Sequence, residues 1–117
     1  MEALISRSDG REDGEQWTED YERLPGGAGI SIILESTERE GVGPRLHRHP
    51  YAETFIIRRG SAMFTVGSGA DARQVLARAG QVLVVPAGMP HCFRTGPDGY
   101  EAVHIHANAE FVTEWLE

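Results

Sequence analysis

Two histidines and a glutamate, His47, His49 and Glu53, fall inside the stretch GVGPRLHRHPYAETFIIRRG from Gly41 to Gly60. Side chains two apart on a strand share a face, so both imidazoles can reach one ion. Pro50 interrupts the ladder and bends the chain before Glu53 opens the next apolar run, where its carboxylate can close on the same ion. Neutral imidazole with carboxylate suits a divalent transition metal: iron, manganese, nickel, copper, cobalt or zinc. The chain holds five histidines and none precedes residue 47, so they are concentrated in one candidate site. A further ligand has to come from elsewhere, and GQVLVVPAGMPHCFRT, Gly80 to Thr95, offers His91. On a strand, His91 shares a side with Phe93 and Thr95. Cys92 and Arg94 then point away, which removes the neighbouring thiol from that ion.

Holding such residues together requires a frame, and the frame reads as strands. Residues 30–35 (ISIILE), 54–58 (TFIIR), 62–66 (AMFTV), 74–77, 82–85, 91–94 and 102–107 are short and apolar, with Gly/Pro turns between them. Arg59-Gly60 is expected to turn 54–58 into a hairpin with 62–66. Many short strands at regular spacing predict an all-β sandwich or barrel. Residues 1–28 are acidic and read as an N-terminal arm, in which Trp17, Tyr21 and Leu24 fall on one face of a helical turn. Residues 108–117 read as a short amphipathic C-terminal helix, with Asn108 as N-cap and Phe111, Val112, Trp115 and Leu116 at helical spacing.

With 117 residues there is room for one domain and one core. The net charge of −7 argues against nucleic acid as a partner, since phosphate binding needs a basic surface. No lysine is present, which excludes Schiff-base catalysis. No apolar run is long enough for a membrane helix. The start MEALISRSDG lacks the pattern of a leader, so a cytoplasmic protein is expected. A single cysteine, Cys92, excludes an internal disulfide.

The spacing Gly41-x5-His47-x-His49-x3-Glu53-x6-Gly60 resembles the first motif of the cupin superfamily. Gly80-x5-Pro86-x-Gly88-x2-His91 resembles the second, with Thr95 where an asparagine is usual. The resemblance covers about residues 41–95 by motif and 29–107 by strand spacing. It implies a jelly-roll β-barrel over 29–107 with a metal inside, held by His47, His49, Glu53 and His91. A centre of three histidines and one carboxylate leaves coordination positions for water or substrate, as a catalytic metal requires. The resemblance implies a metal-dependent oxygenase or isomerase, dioxygenase-like, acting on a small organic molecule. The alternative is a non-catalytic module that binds or senses a small ligand. A homodimer is also implied by analogy, with the arm and the C-terminal helix as candidate surfaces.

Phe55, Phe64 and Phe93 are candidates for cavity-lining or substrate contacts, although core placement serves them equally well. His104 and His106 share one strand face and are further candidates. The apolar residues in the alternate phase, Val103, Ile105 and Ala107, favour the opposite arrangement, with the histidines looking outward. Arg45 is expected to be solvated, and Tyr51 to sit at the mouth of the site.

Overall fold

The computed structural model describes residues 3–5 and 17–117. The acidic positions Asp9, Glu12, Asp13 and Glu15 lie outside the described residues. Among the described residues eight strands follow in order: β1 (Thr18–Tyr21), β2 (Ser31–Thr37), β3 (His47–Arg48), β4 (Glu53–Val66), β5 (Arg73–Arg78), β6 (Val82–Val85), β7 (His91–His106) and β8 (Glu114–Trp115). Every pairing is antiparallel.

Two long strands organise the rest. β4 and β7 pair along their whole length, with Glu53 opposite His106 at one end and Val66 opposite His91 at the other. The first half of β4 also pairs with β6 and the second half with β5. The later half of β7 takes β2, which takes β1, while its first residue meets β3, which takes β8. The result is a curled sheet in the jelly-roll manner.

The curl comes from two register shifts, between Ile57 and Arg59 and between Gly60 and Ala62. Bulges of this kind bend a strand and increase its twist. Arg59-Gly60 is therefore no hairpin turn: residues 53–66 form one bent strand. Gly60 has φ of 70°, and a Cβ there would run into the Gly99 carbonyl on β7. Only glycine allows the two backbones to approach so closely at the bend. The turn between β5 and β6 hangs on the same bend through Gly80 N–H to Ile57 O and Ile57 N–H to Gln81 O.

The core fills the bent end. Ile57, Ala62, Phe64, Tyr100 and Ala102 are buried there, with Phe55 and Phe93 above them. Phe55 and Phe64 meet edge to face at 4.8 Å. Such a pair adds about 0.5–1.5 kcal/mol to what burial already contributes.

Two terminal expectations are corrected. Residues 18–21 are not a helical turn but an edge strand, Thr18 to Tyr21 opposite Glu35 to Ile32. The barrel thus begins inside the predicted arm. The C-terminal segment is not a helix either: Glu114 and Trp115 form β8 against Arg48 and His47. β-Branched Val112 and Thr113 favour extended backbone, and β3 offers the two residues that follow them an unpaired edge. Asn108 does not cap helical amides; its Nδ2 donates to Glu110 O.

Candidate metal centre

Glu53 and His91 begin β4 and β7, so they stand at opposite ends of the β4–β7 ladder. A flat ladder of that length would hold them roughly 40 Å apart. Because the sheet curls closed, His91 Nε2 lies 3.1 Å from Glu53 Oε1. β3 supplies His47 directly opposite His91, and His49 follows one residue beyond the strand. Gly88 N–H donates to His49 O at 2.7 Å, which ties the turn before His91 to the first histidine pair. Thr95 also has work in this frame. Its hydroxyl donates to Arg39 O at 2.6 Å and accepts from Val42 N–H at 3.0 Å, anchoring the loop that leads to β3.

His47, His49, Glu53 and His91 are all buried and each offers one ligand atom, all within 4.8 Å of one another. The three imidazoles are oriented alike. The Nδ1–H of His47 donates to Arg45 O (2.7 Å), that of His49 to Val112 O (2.9 Å) and that of His91 to Met89 O (3.0 Å). A neutral ring that donates from Nδ1 has only a lone pair at Nε2. Three such lone pairs converge with a carboxylate, and His49 Nε2 is buried without a hydrogen-bond partner. Burial, offset in part by the Arg45 carbonyl, lowers the His47 pKa to about 4, so the ring is neutral and ready to ligate. Burial by itself raises the Glu53 carboxyl, but the hydrogen bond from His106, which is not one of the four, leads the effects that hold it well below its ordinary range. A buried cluster made of acceptors alone calls for a cation among them. The donor set fits a divalent transition metal, and carbonyl-anchored histidines are the usual outer support of such ligands.

A cavity of about 280 Å³ opens beside this group, with Trp17, Ile33, Phe55, Phe93, Phe111 and Trp115 among its apolar walls. Phe55 and Phe93 therefore face it, whereas Phe64 does not: it is fully buried behind Phe55, in the core. His104 and His106 line the cavity and are nearly inaccessible, against the outward placement that the alternation of apolar residues favoured. Val103 and Ile105 are the residues that face out, because this sheet carries apolar side chains on its outer side as well. His106 Nε2 lies 3.3 Å from Glu53 Oε2, so Glu53 meets His49 and His91 through one oxygen and His106 through the other. Cys92 is half-buried on the opposite strand face from His91 and has no place in the cavity wall. Tyr51 is buried, stacks on His49 and accepts from Val112 N–H. Arg45 is exposed, its guanidinium 4.9 Å over the Trp115 ring.

Glu35 went unnoticed in the sequence, yet it lines the cavity and is buried. Its signal was present: Ser31, Glu35 and Thr37 share one phase of β2 and all three are buried, while Leu34 of the other phase is exposed. Burial, with the charges of Glu53 and Asp20, raises the Glu35 pKa to about 9.

The cupin domain family profile matches residues 21–105, and the chain belongs to that family. Among curated proteins it is similar to acireductone dioxygenase 1 of Pectobacterium atrosepticum, 34% identical over 106 residues that span 81% of this chain and 61% of that protein. The chain thus accounts for about six-tenths of that relative's length. Among solved structures it superposes on oxalate decarboxylase from Bacillus subtilis with a TM-score of 0.75 at 21% identity, covering 85% of this chain and 27% of that one. Oxalate oxidase gives 0.76 at 16% identity, covering 97% and 63%. Pumpkin seed globulin gives 0.74 at 19%, covering 85% and 28%. These likenesses establish the jelly-roll barrel. Among the described residues no helix is long and apolar enough to cross a membrane.

Proposed function

We propose that this cupin is a metal-dependent oxygenase that acts on a small, oxygen-rich organic molecule. The observation that carries the reading is the acceptor-only group His47, His49, Glu53 and His91, set in the wall of a cavity large enough for such a molecule. A divalent ion there supplies Lewis acidity and, where it is redox-active, a means of activating dioxygen. The similarity to an acireductone dioxygenase supports that chemistry and an enediol-like substrate. Iron and manganese are the first metals to test, the latter because Mn(II) centres are described for the oxalate decarboxylase whose fold it shares. The chain's own residues do the rest: Phe55, Phe93 and Trp17 exclude water from the ligand, and His106 holds the outer oxygen of Glu53.

The experiment is reconstitution with each divalent ion in turn, followed by metal analysis and an oxygen electrode with enediols and α-oxo acids as substrates. Stoichiometric metal with oxygen uptake is expected for at least one ion. Full metal loading with ligand binding and no turnover would establish instead a non-catalytic binding module.

We further infer a cytoplasmic homodimer. Its support is a continuous apolar face on the outside of the barrel, where register sets Leu34 beside Val103, Val103 beside Ile56 and Ile56 beside Val82. Leu34 and Val82 are 37% and 61% exposed, and a face of this kind is ordinarily covered. Light scattering after size exclusion should give twice the chain mass, and Val82→Arg should shift it to monomer. A monomeric wild type would end this reading.

A further inference from the structure

We propose that Glu35 is a second recognition point in the cavity, donating a hydrogen bond to an oxygen acceptor at the far end of a small oxo-acid whose near end sits at His47, His49, Glu53 and His91. This deepens the proposed function and rests on that group holding a metal.

Glu35 is 5% exposed, and its two oxygens differ. Oε1 lies 3.3 Å from His104 Nδ1, while Oε2 is buried with no hydrogen-bond partner. His104 is itself fixed from behind, its Nε2 2.8 Å from the Tyr100 hydroxyl. Burial raises the Tyr100 pKa, so the phenol keeps its proton and donates it to Nε2. The His104 proton is then on Nδ1 and faces Glu35 Oε1. That leaves Oε2 to carry the proton of the neutral carboxyl. Burial of the carboxyl, the largest cause of its raised pKa, favours keeping that proton in place. An O–H donor in a wall shared with Ile33, Phe55 and Phe93 is thus held in one orientation by two buried side chains.

The metal group makes no use of Glu35. Its ligand atoms come from other residues, and His104 Nδ1 stands between the two carboxyls, 3.3 Å from Glu35 and 3.8 Å from Glu53. Leaving a buried polar atom unpaired costs stability, and such atoms are retained where a ligand completes them. The cavity wall contains no arginine among the described residues, so a ligand's second oxygen group has no guanidinium to meet. Beside the Thr18 and Thr113 hydroxyls and the Asp20 carboxyl, the buried neutral carboxylic acid of Glu35 is the donor with an unpartnered oxygen, and it selects for a carbonyl or carboxylate over a hydrocarbon end.

The test uses the full chain loaded with Co(II), as wild type, Glu35→Gln and Glu35→Leu. The metal-to-protein ratio and the visible cobalt band report the metal group independently of Glu35. Each protein is titrated with pyruvate and with 2-oxoglutarate, which share the α-oxo acid head but differ in the second carboxylate. Wild type should bind 2-oxoglutarate about tenfold more tightly than pyruvate. Glu35→Gln, which keeps a donor, should retain most of that preference. Glu35→Leu should lose it while its pyruvate affinity and cobalt band stay unchanged. A structural role for Glu35, or a water molecule completing Oε2, would change both affinities together. Equal affinities in cobalt-loaded wild type, or a preference that survives in Glu35→Leu, would overturn the inference and leave the metal reading standing. A wild type that takes up no cobalt overturns both.

Discussion

The two ends of the barrel interior are made from the same two strands and carry opposite chemistry. Where β4 and β7 bend, the inside is Ile57, Ala62, Phe64, Tyr100 and Ala102, sealed and almost wholly apolar. Where their ends curl back to meet, the inside holds five histidines and two glutamates, all buried. The first end satisfies the hydrophobic effect and asks for nothing more. The second pays a desolvation cost that the chain alone does not recover, since several of its polar atoms lack partners. The difference locates function: one end makes the fold, and the other end draws on its stability.

Substitutions can break that division. The largest effect is expected from a His49→Ala, His91→Ala double variant. It should lose metal affinity by well over the 10–100-fold that follows from removing an outer support, and should hold no metal on elemental analysis. The fold should persist, with unchanged far-UV circular dichroism, because neither ring belongs to the apolar core. Wild type and variant holding equally little metal after reconstitution would refute the site. Phe64→Ala should do the converse. It should cost about 3–5 kcal/mol in urea denaturation, while the protein that remains folded binds metal at the wild-type ratio. Loss of metal affinity at full foldedness would show that the two ends are not separable.

Glu35 sharpens the comparison with a smaller effect. Its folded pKa of about 9 lies above the unfolded value of 4.5, so between those limits the unfolded chain has released a proton that the folded chain retains. Glu35 by itself therefore costs stability as pH rises from about 5 to 9. The buried rings of His47 and His104, lowered to about 4 and about 3 from 6.5, act the opposite way up to about 6.5. Metal-free protein should thus show the net loss between about pH 7 and 9. Glu35→Gln should flatten the melting-temperature profile over that window by several degrees. A profile of unchanged slope would show that Glu35 is already ionised in the fold.

What could be read in advance follows the same division. His47, His49 and Glu53 declare themselves because their spacing is local, and the second motif adds His91 with its Gly/Pro turn. The curl that joins Glu53 to His91 was not legible from spacing, since it depends on two bulges and on Gly60 meeting the Gly99 carbonyl across strands. His104 and His106 were misread for a specific reason. Alternation tells which residues share a face, but not which face is inner, and β7 carries Val103 and Ile105 on its outside. Glu35 escaped because a single acid at the end of an apolar run looks like the run's boundary. The C-terminal segment misled because Asn108 and the spacing of Phe111, Trp115 and Leu116 suit a helix, while the edge of β3 claims the backbone.

That edge pairing makes the last residues part of the metal centre's reporting apparatus. His49 takes its orientation from Val112 O, and the Val112 amide is held by Tyr51, which stacks on His49. Leu116 N–H donates to Leu46 O beside His47. By reciprocity, whatever the docked tail adds to the affinity of the site for an ion, a bound ion adds to the docking of the tail. Amide exchange at Val112 and Leu116, or the rate at which carboxypeptidase shortens the chain, would then serve as a gauge of metal occupancy.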